Sequence, residues 1–142
     1  MSRIKPILGT MTFGGQVDEA GGMLTGKHRD VGGEYGGGRF DRFENYRDRY
    51  WNRKCFDAIG VIAKTCAHSG IAPAEAALRW LVHHSSLSAE AGDAVIIGAS
   101  TISHLEHNVA ALQAEPLPAE VLAAFERGWE STRPACMKYF RP

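Results

Sequence analysis

"GDAVIIGASTISHLEHN", residues 92–108, contains a strand, a tight turn and the start of a helix in one continuous stretch. The small and β-branched run "AVII" is closed by Gly98, a pattern typical of a parallel strand that is buried on both faces. Ser100 or Thr101 can cap the following helix, because a side-chain hydroxyl accepts a hydrogen bond from an unpaired N–H of the first turn. The inward face of that helix is predicted to carry Leu105, Val109 and Leu112.

Two helices are predicted upstream of this stretch. The first begins at Phe56 and stops at Gly70, and the second starts at Pro73, which suits a first helical turn, and ends around His84. The expected buried stripes are Ile59, Ile62, Ala63 and Cys66 on the first helix, and Ala77, Leu78, Leu81 and Val82 on the second.

The remaining elements lie at the two ends of the chain. Ile4 to Phe13 predicts one strand. Pro116 and Pro118 interrupt the helix after residue 101 and begin a last helix, followed by an irregular tail over 131–142. The shared face of that last helix is predicted to be Val121, Leu122, Phe125 and Trp129.

Residues 14–38 hold ten of the sixteen glycines in the chain. Each glycine costs backbone entropy in a regular element, so this segment predicts a long flexible loop rather than a helix or strand.

Composition narrows the function classes. Sixteen basic and sixteen acidic residues cancel, so no global field favours nucleic acid, a membrane surface or an acidic partner. No apolar run approaches the ~20 residues of a membrane span. Cys55, Cys66 and Cys136 are too far apart for a C-x-x-C site, and reduced thiols in the cytoplasm are the simplest interpretation.

The histidines do not form a metal-binding pattern. His104 and His107 lie three residues apart without a third ligand at a recognisable spacing. His83 and His84, at a helix end, are expected to satisfy terminal carbonyls, so no metal is predicted.

Three stretches carry candidate chemistry. The turn after residue 97 offers hydroxyls and a helix N-terminus to an anion, although a plain capped turn explains the same residues. "GGMLTGK", 21–27, ends in lysine but lacks the spacing of a phosphate loop. Residues 38–54 interleave arginines with aromatic rings, as single-strand nucleic-acid sites do, but Asp41, Glu44 and Asp48 offset their charge.

Several motifs together resemble the aldo-keto reductases, and most closely the branch of aflatoxin-aldehyde and succinic-semialdehyde reductases. They are "ILGTMTFG" (7–14), "GGMLTGK" (21–27), "GRF" (38–40), "NYRDRYW" (45–51), "AALRWLVHHS" (76–85), "GDAVIIGASTISHLEHN" (92–108) and "YFR" (139–141). They occur in the family's order over nearly the whole chain.

The resemblance implies an α/β fold, here an incomplete fragment of a (β/α)8 TIM barrel that keeps the first strand plus the C-terminal strand and helices. It implies one partial domain over 1–142 and NADPH as cofactor, with a small-molecule aldehyde as substrate in the family. The implied cofactor-binding residues are Gly21, Gly22, Met23, Leu24, Thr25, Gly26, Lys27, Arg39, Gly98, Ala99, Ser100, Thr101, Ile102, Ser103, His104, Leu105, Glu106 and Asn108. Tyr46 and Arg141 match positions that approach substrate.

The sequence departs from the family where catalysis takes place. The family uses an aspartate and a tyrosine after the second strand, a lysine on the third strand and a histidine on the fourth, and none of these contexts occurs here. An intact barrel needs about 250 residues. We therefore expect an internal deletion between Phe13 and Gly21 that removes strands two to seven, and no catalytic residue is assigned.

Three functions follow from these observations. The first is a family chain without catalysis that keeps elements of the NADPH site and associates with full-length family members or with itself. The second is an active aldehyde reductase assembled with a partner chain. The third is an interaction or single-strand nucleic-acid module through residues 38–54, although composition predicts neither nucleic acid nor membrane as a partner.

Overall fold

The computed structural model describes residues 4–8, 24, 30–34, 39–42, 44–99 and 101–135. From residue 51 onward the predicted order of helix, helix, strand, helix, helix is confirmed. No helix within these ranges is long and apolar enough to cross a membrane. The elements are β1 (Lys5–Leu8), α1 (Arg39–Arg42), α2 (Glu44–Tyr50), α3 (Arg53–His68), α4 (Pro73–His83), β2 (Ala94–Ile97), α5 (Ile102–Gln113), α6 (Ala119–Thr132) and a 3-10 turn (Arg133–Ala135).

β1 and β2 form a parallel pair, with Lys5 opposite Ala94 and Leu8 opposite Ile97. The parallel direction was predicted, but burial on both faces is wrong. Val95 and Ile97 are buried, whereas Ile96 between them is 72% exposed, because within the described residues only one face of this sheet is covered. The described part of β1 ends at Leu8, and residues 9–13 of the predicted strand lie outside the described residues.

α3 begins three residues earlier than the apolar pattern predicted. Asn52 is its N-cap, and the side-chain oxygen Oδ1 accepts a hydrogen bond from the Cys55 N–H at 3.1 Å. The predicted stop is confirmed: the helix ends at His68, and Gly70 has a φ of +66°, which glycine adopts without steric cost. The early start follows from the cap, which a search for apolar periodicity alone does not detect.

Two hydrophobic clusters make up the core of the described part of the chain. The first joins α3, α4 and α6 through Ile62, Cys66, Ala76, Leu117, Val121 and Ala124. The second joins the sheet to α5 and the opposite side of α4 through Ile4, Val95, Ile97 and Leu112, with Leu78, Leu81, Val82, Leu105 and Val109 packed around them. α4 therefore lies between both clusters, and the predicted inward face of α5 is confirmed.

The predicted faces of α4 and α6 need correction. On α4 the fully buried residues are Ala76 and Arg79, while the four predicted residues are only partly buried. On α6 Val121 is buried as predicted, but Trp129 is 52% exposed. Gly128 takes the inward position instead, because a Cβ there would lie 3.2 Å from Ile62 Cδ1, so the missing side chain lets α3 and α6 approach.

Polar side chains of α4 hold the linker between α5 and α6. Arg79 donates from Nε to the Glu115 carbonyl oxygen at 2.7 Å and from Nη2 to that of Pro116 at 2.9 Å. His83 Nε2 lies 2.8 Å from the Ala114 carbonyl oxygen, and the Leu117 N–H donates to His84 Nε2 at 3.1 Å. The expectation that the histidines satisfy carbonyls at a helix end holds for His83, whose partner carbonyl lies at the end of α5. The expectation is wrong for His84, because its ring nitrogen accepts a hydrogen bond from an N–H.

The C-terminal segment is more regular than predicted. α6 continues through Thr132, and the 3-10 turn over Arg133–Ala135 follows directly. Residues 136–142, with the remainder of the predicted irregular tail, lie outside the described residues.

Candidate functional site

The turn between β2 and α5 is the best-defined candidate site. Thr101 is the N-cap of α5, and its hydroxyl accepts a hydrogen bond from the His104 N–H at 3.2 Å. Asn108, one and a half turns into the helix, donates from Nδ2 to the Gly98 carbonyl oxygen at 3.0 Å. The helix start is therefore capped by Thr101, and Asn108 joins the helix to the end of the strand.

The residues predicted to bind the cofactor at this turn differ in their exposure to solvent. Thr101, Ile102, Ser103 and Glu106 are exposed, as is Gly98, and Ala99, His104 and Asn108 are half-buried. Leu105 packs against the second core cluster, so its side chain serves the core rather than an open site. Ser100 lies outside the described residues.

An exposed helix N-terminus flanked by hydroxyls suits an anion, because unpaired N–H groups carry partial positive charge there. Residues 98–108 contain no lysine or arginine. A phosphate held at this turn would therefore need its cations from another segment.

Thr101→Ala is expected to lower the free energy of unfolding by about 1 kcal/mol, because it removes the acceptor of the His104 N–H. Thr101→Ser keeps the hydroxyl and should stay within a few tenths of a kcal/mol of the original. Urea unfolding followed by circular dichroism measures both, and equal losses in the two variants would show that the cap does not stabilise α5.

Most of the second predicted cofactor segment is not described. Leu24 is half-buried and packs against the first core cluster. Arg39 begins α1 and Tyr46 lies within α2, but their side chains are outside the described part of the structure. The same holds for all of Gly21, Gly22, Met23, Thr25, Gly26, Lys27 and Arg141.

The aromatic residues of 38–54 are partly used inside the protein. Phe40 is buried against Trp51, whose ring also packs on Phe56, with centroid separations of 5.1 Å in both pairs. Trp51 Nε1 donates to the Val31 carbonyl oxygen at 2.8 Å, and Arg47 donates to that of Phe40 at 2.7 Å. These contacts occupy two rings and one arginine of the set proposed for nucleic-acid binding.

A cavity of about 810 Å³ lies between α3, α4 and α6, and no pattern in the sequence predicts it. Its walls come from α3, α4 and α6 and from three further positions, Leu24, Tyr50 and His84, so no short motif marks it. The lining residues are Leu24, Tyr50, Cys55, Ala58, Ile59, Ile62, Ala77, Trp80, Leu81, His84, Phe125, Glu126, Gly128, Trp129 and Thr132.

The pKa values of two groups are shifted, those of His84 in the cavity lining and Cys66 in the first core cluster. Burial lowers the pKa of His84, and the neighbouring charges of His83 and Arg79 add to the effect, while Glu126 opposes it. Burial, with a smaller contribution from Glu75, raises the pKa of the Cys66 thiol, so that Cys66 stays protonated at neutral pH. Cys55 and Cys66 form no disulfide, and Cys136 lies outside the described residues. Within the described ranges no three histidine, cysteine or acidic side chains come together around a metal position.

Comparison with known proteins gives a consistent set of relatives. The chain is 42% identical over 131 residues to aflatoxin B1 aldehyde reductase member 2 of Rattus norvegicus, covering 86% of this chain and 36% of that protein. It is 41% identical to aldo-keto reductase family 7 member A3 of Homo sapiens, covering 86% and 40%. An aldo-keto reductase of Pseudocercospora fijiensis is 40% identical, covering 85% and 42%.

The chain thus spans only about two fifths of the length of these relatives. The sequence profile described as the Aldo/keto reductase family matches residues 19–130, which include α3 to α5, most of α6 and the capped turn after β2. The turn, its helix and the core beneath them therefore belong to one matched segment, and the chain is a member of the aldo/keto reductase family.

Proposed function

We propose that this chain keeps part of an NADPH site without catalytic activity of its own. The observation that carries the proposal is the turn between β2 and α5, where an exposed, capped helix N-terminus follows a parallel strand inside the segment that matches the family. In open α/β arrangements ligands bind at the carboxyl ends of parallel strands, and this turn is such an end.

The turn would hold the adenosine 2′-phosphate of NADPH through Gly98 to Glu106, with Asn108 keeping the turn in place. The exposed hydroxyls of Thr101 and Ser103 and the helix N-terminus supply donors. Positive charge would come from Lys27 and Arg39, since the turn itself carries none. The glycine-rich residues 21–27 would lie over the pyrophosphate, while Tyr46 and Arg141 would approach the substrate.

The sequence supports the absence of catalysis. A carbonyl reductase needs a general acid, which in this family is a tyrosine whose acidity a lysine and an aspartate adjust. The tyrosines of this chain, at positions 35, 46, 50 and 139, occur in other motifs, and the aspartate, lysine and histidine contexts are missing. A carbonyl substrate beside bound NADPH would therefore lack the general acid that donates a proton to its oxygen.

We also propose that β1 and β2 are the first and last strands of the family barrel. Those two strands are neighbours where a (β/α)8 barrel closes, and the parallel register between them supports this assignment. The strands in between would be lost through the internal deletion expected between residues 13 and 21. Sequencing the gene tests that deletion, because a continuous short gene without intervening barrel-coding segments would exclude it.

NADPH is expected to bind at least about tenfold more tightly than NADH, since only NADPH carries the 2′-phosphate. Tryptophan fluorescence of the purified chain during cofactor titration measures both affinities. Ser103→Glu places a negative charge at the turn and should weaken NADPH binding by about fivefold without affecting NADH. Ala110→Glu adds the same charge at an exposed position further along α5 and serves as the matched control.

Equal affinity for the two cofactors, or equal effects of the two glutamate variants, would contradict the proposed phosphate site. An aldehyde-dependent loss of NADPH absorbance with the purified chain alone would contradict the absence of catalysis.

The alternative of a reductase assembled with a partner chain rests on one observation. Ile96 is 72% exposed on the open face of the two-stranded sheet, where an intact barrel would place further strands. Association with a full-length family member or with a second copy would cover this face. NADPH-dependent aldehyde reduction that appears only above the concentration at which sedimentation detects assembly would favour this alternative.

A further inference from the structure

The cavity between α3, α4 and α6 has the size and lining of a small-molecule site. Its volume of about 810 Å³ lies within the usual range for ligand pockets, which are mostly apolar with few polar groups. Trp80 on α4 and Phe125 and Trp129 on α6 contribute aromatic rings to its lining. The cavity is separate from the capped turn of α5, none of whose residues line it.

The walls of the cavity are held by contacts that do not depend on an occupant. α3 and α6 approach closely at Ile62 and Gly128, where a side chain on Gly128 would be too near. α4 is tied to the linker before α6 by Arg79, His83 and His84. The space is thus bounded by packed helices whose spacing is set by contacts within the protein.

Among the lining residues, His84 supplies a hydrogen-bond donor whose protonation state is fixed by a contact with the linker before α6. The Leu117 N–H donates to His84 Nε2 at 3.1 Å, and since an amide N–H only donates, Nε2 must present its lone pair. The ring is therefore neutral with its proton on Nδ1, and burial, which lowers the pKa of His84, favours the same state. Among the described residues none accepts a hydrogen bond from this Nδ1–H.

The charges around the cavity disfavour an anionic ligand. Glu126 is the acidic residue among the lining positions, and neither lysine nor arginine occurs among them. An anion would find no cation there and would be repelled by Glu126. Flat aromatic surfaces instead suit planar apolar molecules, and the Nδ1–H of His84 suits an oxygen acceptor.

We propose that this cavity binds a neutral planar aromatic molecule that carries a hydrogen-bond acceptor, with its rings among Trp80, Phe125 and Trp129 and its acceptor atom accepting a hydrogen bond from the Nδ1–H of His84. The site needs neither NADPH nor the turn after β2, so it goes beyond the cofactor function proposed above.

Prodan, a neutral naphthyl ketone whose emission shifts to the blue in apolar surroundings, is the probe for the test. The full chain should give a saturable blue shift. Ala58→Phe fills the cavity from α3 and should weaken binding by at least about tenfold. Ala67→Phe adds the same ring at an exposed position of α3 outside the cavity and should change the affinity less than about twofold.

The hydrogen bond is tested with His84→Gln, whose amide oxygen can still accept from the Leu117 N–H. Glutamine has only carbon at the position of Nδ1, and its NH2 group lies further from the backbone, so the donor is removed from that position. Prodan should bind about fivefold more weakly, and dimethylaminonaphthalene, which lacks the carbonyl, should bind as before. Circular dichroism confirms that each variant is folded.

Absence of a saturable shift, or equal prodan binding by the two phenylalanine variants, would overturn the cavity as the site. Equal weakening of the two dyes by His84→Gln would overturn the assigned hydrogen bond. A tighter fit of the aromatic cation N-methylacridinium than of prodan would overturn the choice of a neutral ligand.

Discussion

Replacing Arg79 by alanine is expected to lower the free energy of unfolding by about 3 kcal/mol. Arg79 is 9% exposed and donates to the carbonyl oxygens of Glu115 and Pro116 and to Glu75 Oε1. Its loss would leave two linker carbonyls without their charged donor and would also remove the packed stem of the side chain. The ion pair with Glu75 contributes little of this, because the Glu75 side chain is 38% exposed and water screens the pair. Urea unfolding followed by tryptophan fluorescence measures the change.

Arg127→Ala on the exposed side of α6 is the matched control, and we expect less than about 0.5 kcal/mol of change. Arg79→Lys should fall between the two, because an ammonium group on a flexible stem does not reproduce the planar fork that reaches three acceptors. If Arg79→Ala were no more destabilising than Arg127→Ala, the linker would not depend on these hydrogen bonds.

The burial of Arg79 is a feature that local sequence patterns do not predict. Apolar periodicity correctly predicts that α4 exists, begins at Pro73 and ends near His84, since these features depend on residues close in sequence. The same rule places a charged residue at the surface. Burial of Arg79 depends on carbonyls more than thirty residues away that leave helical geometry between α5 and α6, and no local pattern contains that information.

The sheet presents a related difficulty. The run "AVII" is equally compatible with a strand covered on one face or on both, and only the surrounding elements decide between them. In the described structure helices cover the side of Val95 and Ile97, and Ile96 on the other side is left exposed. The prediction rested on the composition of the run alone, which contains no information about what lies against each face.

The two candidate sites differ in how far the sequence could predict them. The cap at Thr101 is visible in the sequence because donor and acceptor lie three residues apart. The cavity brings together residues from position 24 to position 132, and its donor at His84 depends on an amide 33 residues away. A cap is a local property of the chain, whereas a cavity is a property of the packed helices.

Ile62→Ala should destabilise the protein by about 3 kcal/mol, because Ile62 is 6% exposed in the first core cluster and its removal leaves a void against α6. The adjacent Val61 is 48% exposed, and Val61→Ala, measured by the same urea titration, should cost less than about 1 kcal/mol. Similar losses in both variants would show that α3 does not pack through the Ile62 face.

The contact between Ile62 and Gly128 allows a sharper form of this prediction. In the original chain Gly128→Ala should bring no stabilisation, because the new methyl group would lie 3.2 Å from Ile62 Cδ1 and cancel the gain in helix propensity. In the Ile62→Ala background that atom is absent, so the same change should stabilise the protein by up to about 1 kcal/mol. The difference between the two backgrounds is the coupling energy of a double-mutant cycle. A coupling energy of zero would mean that α3 and α6 do not meet at these positions, and the cavity beside them would then lose its fixed wall.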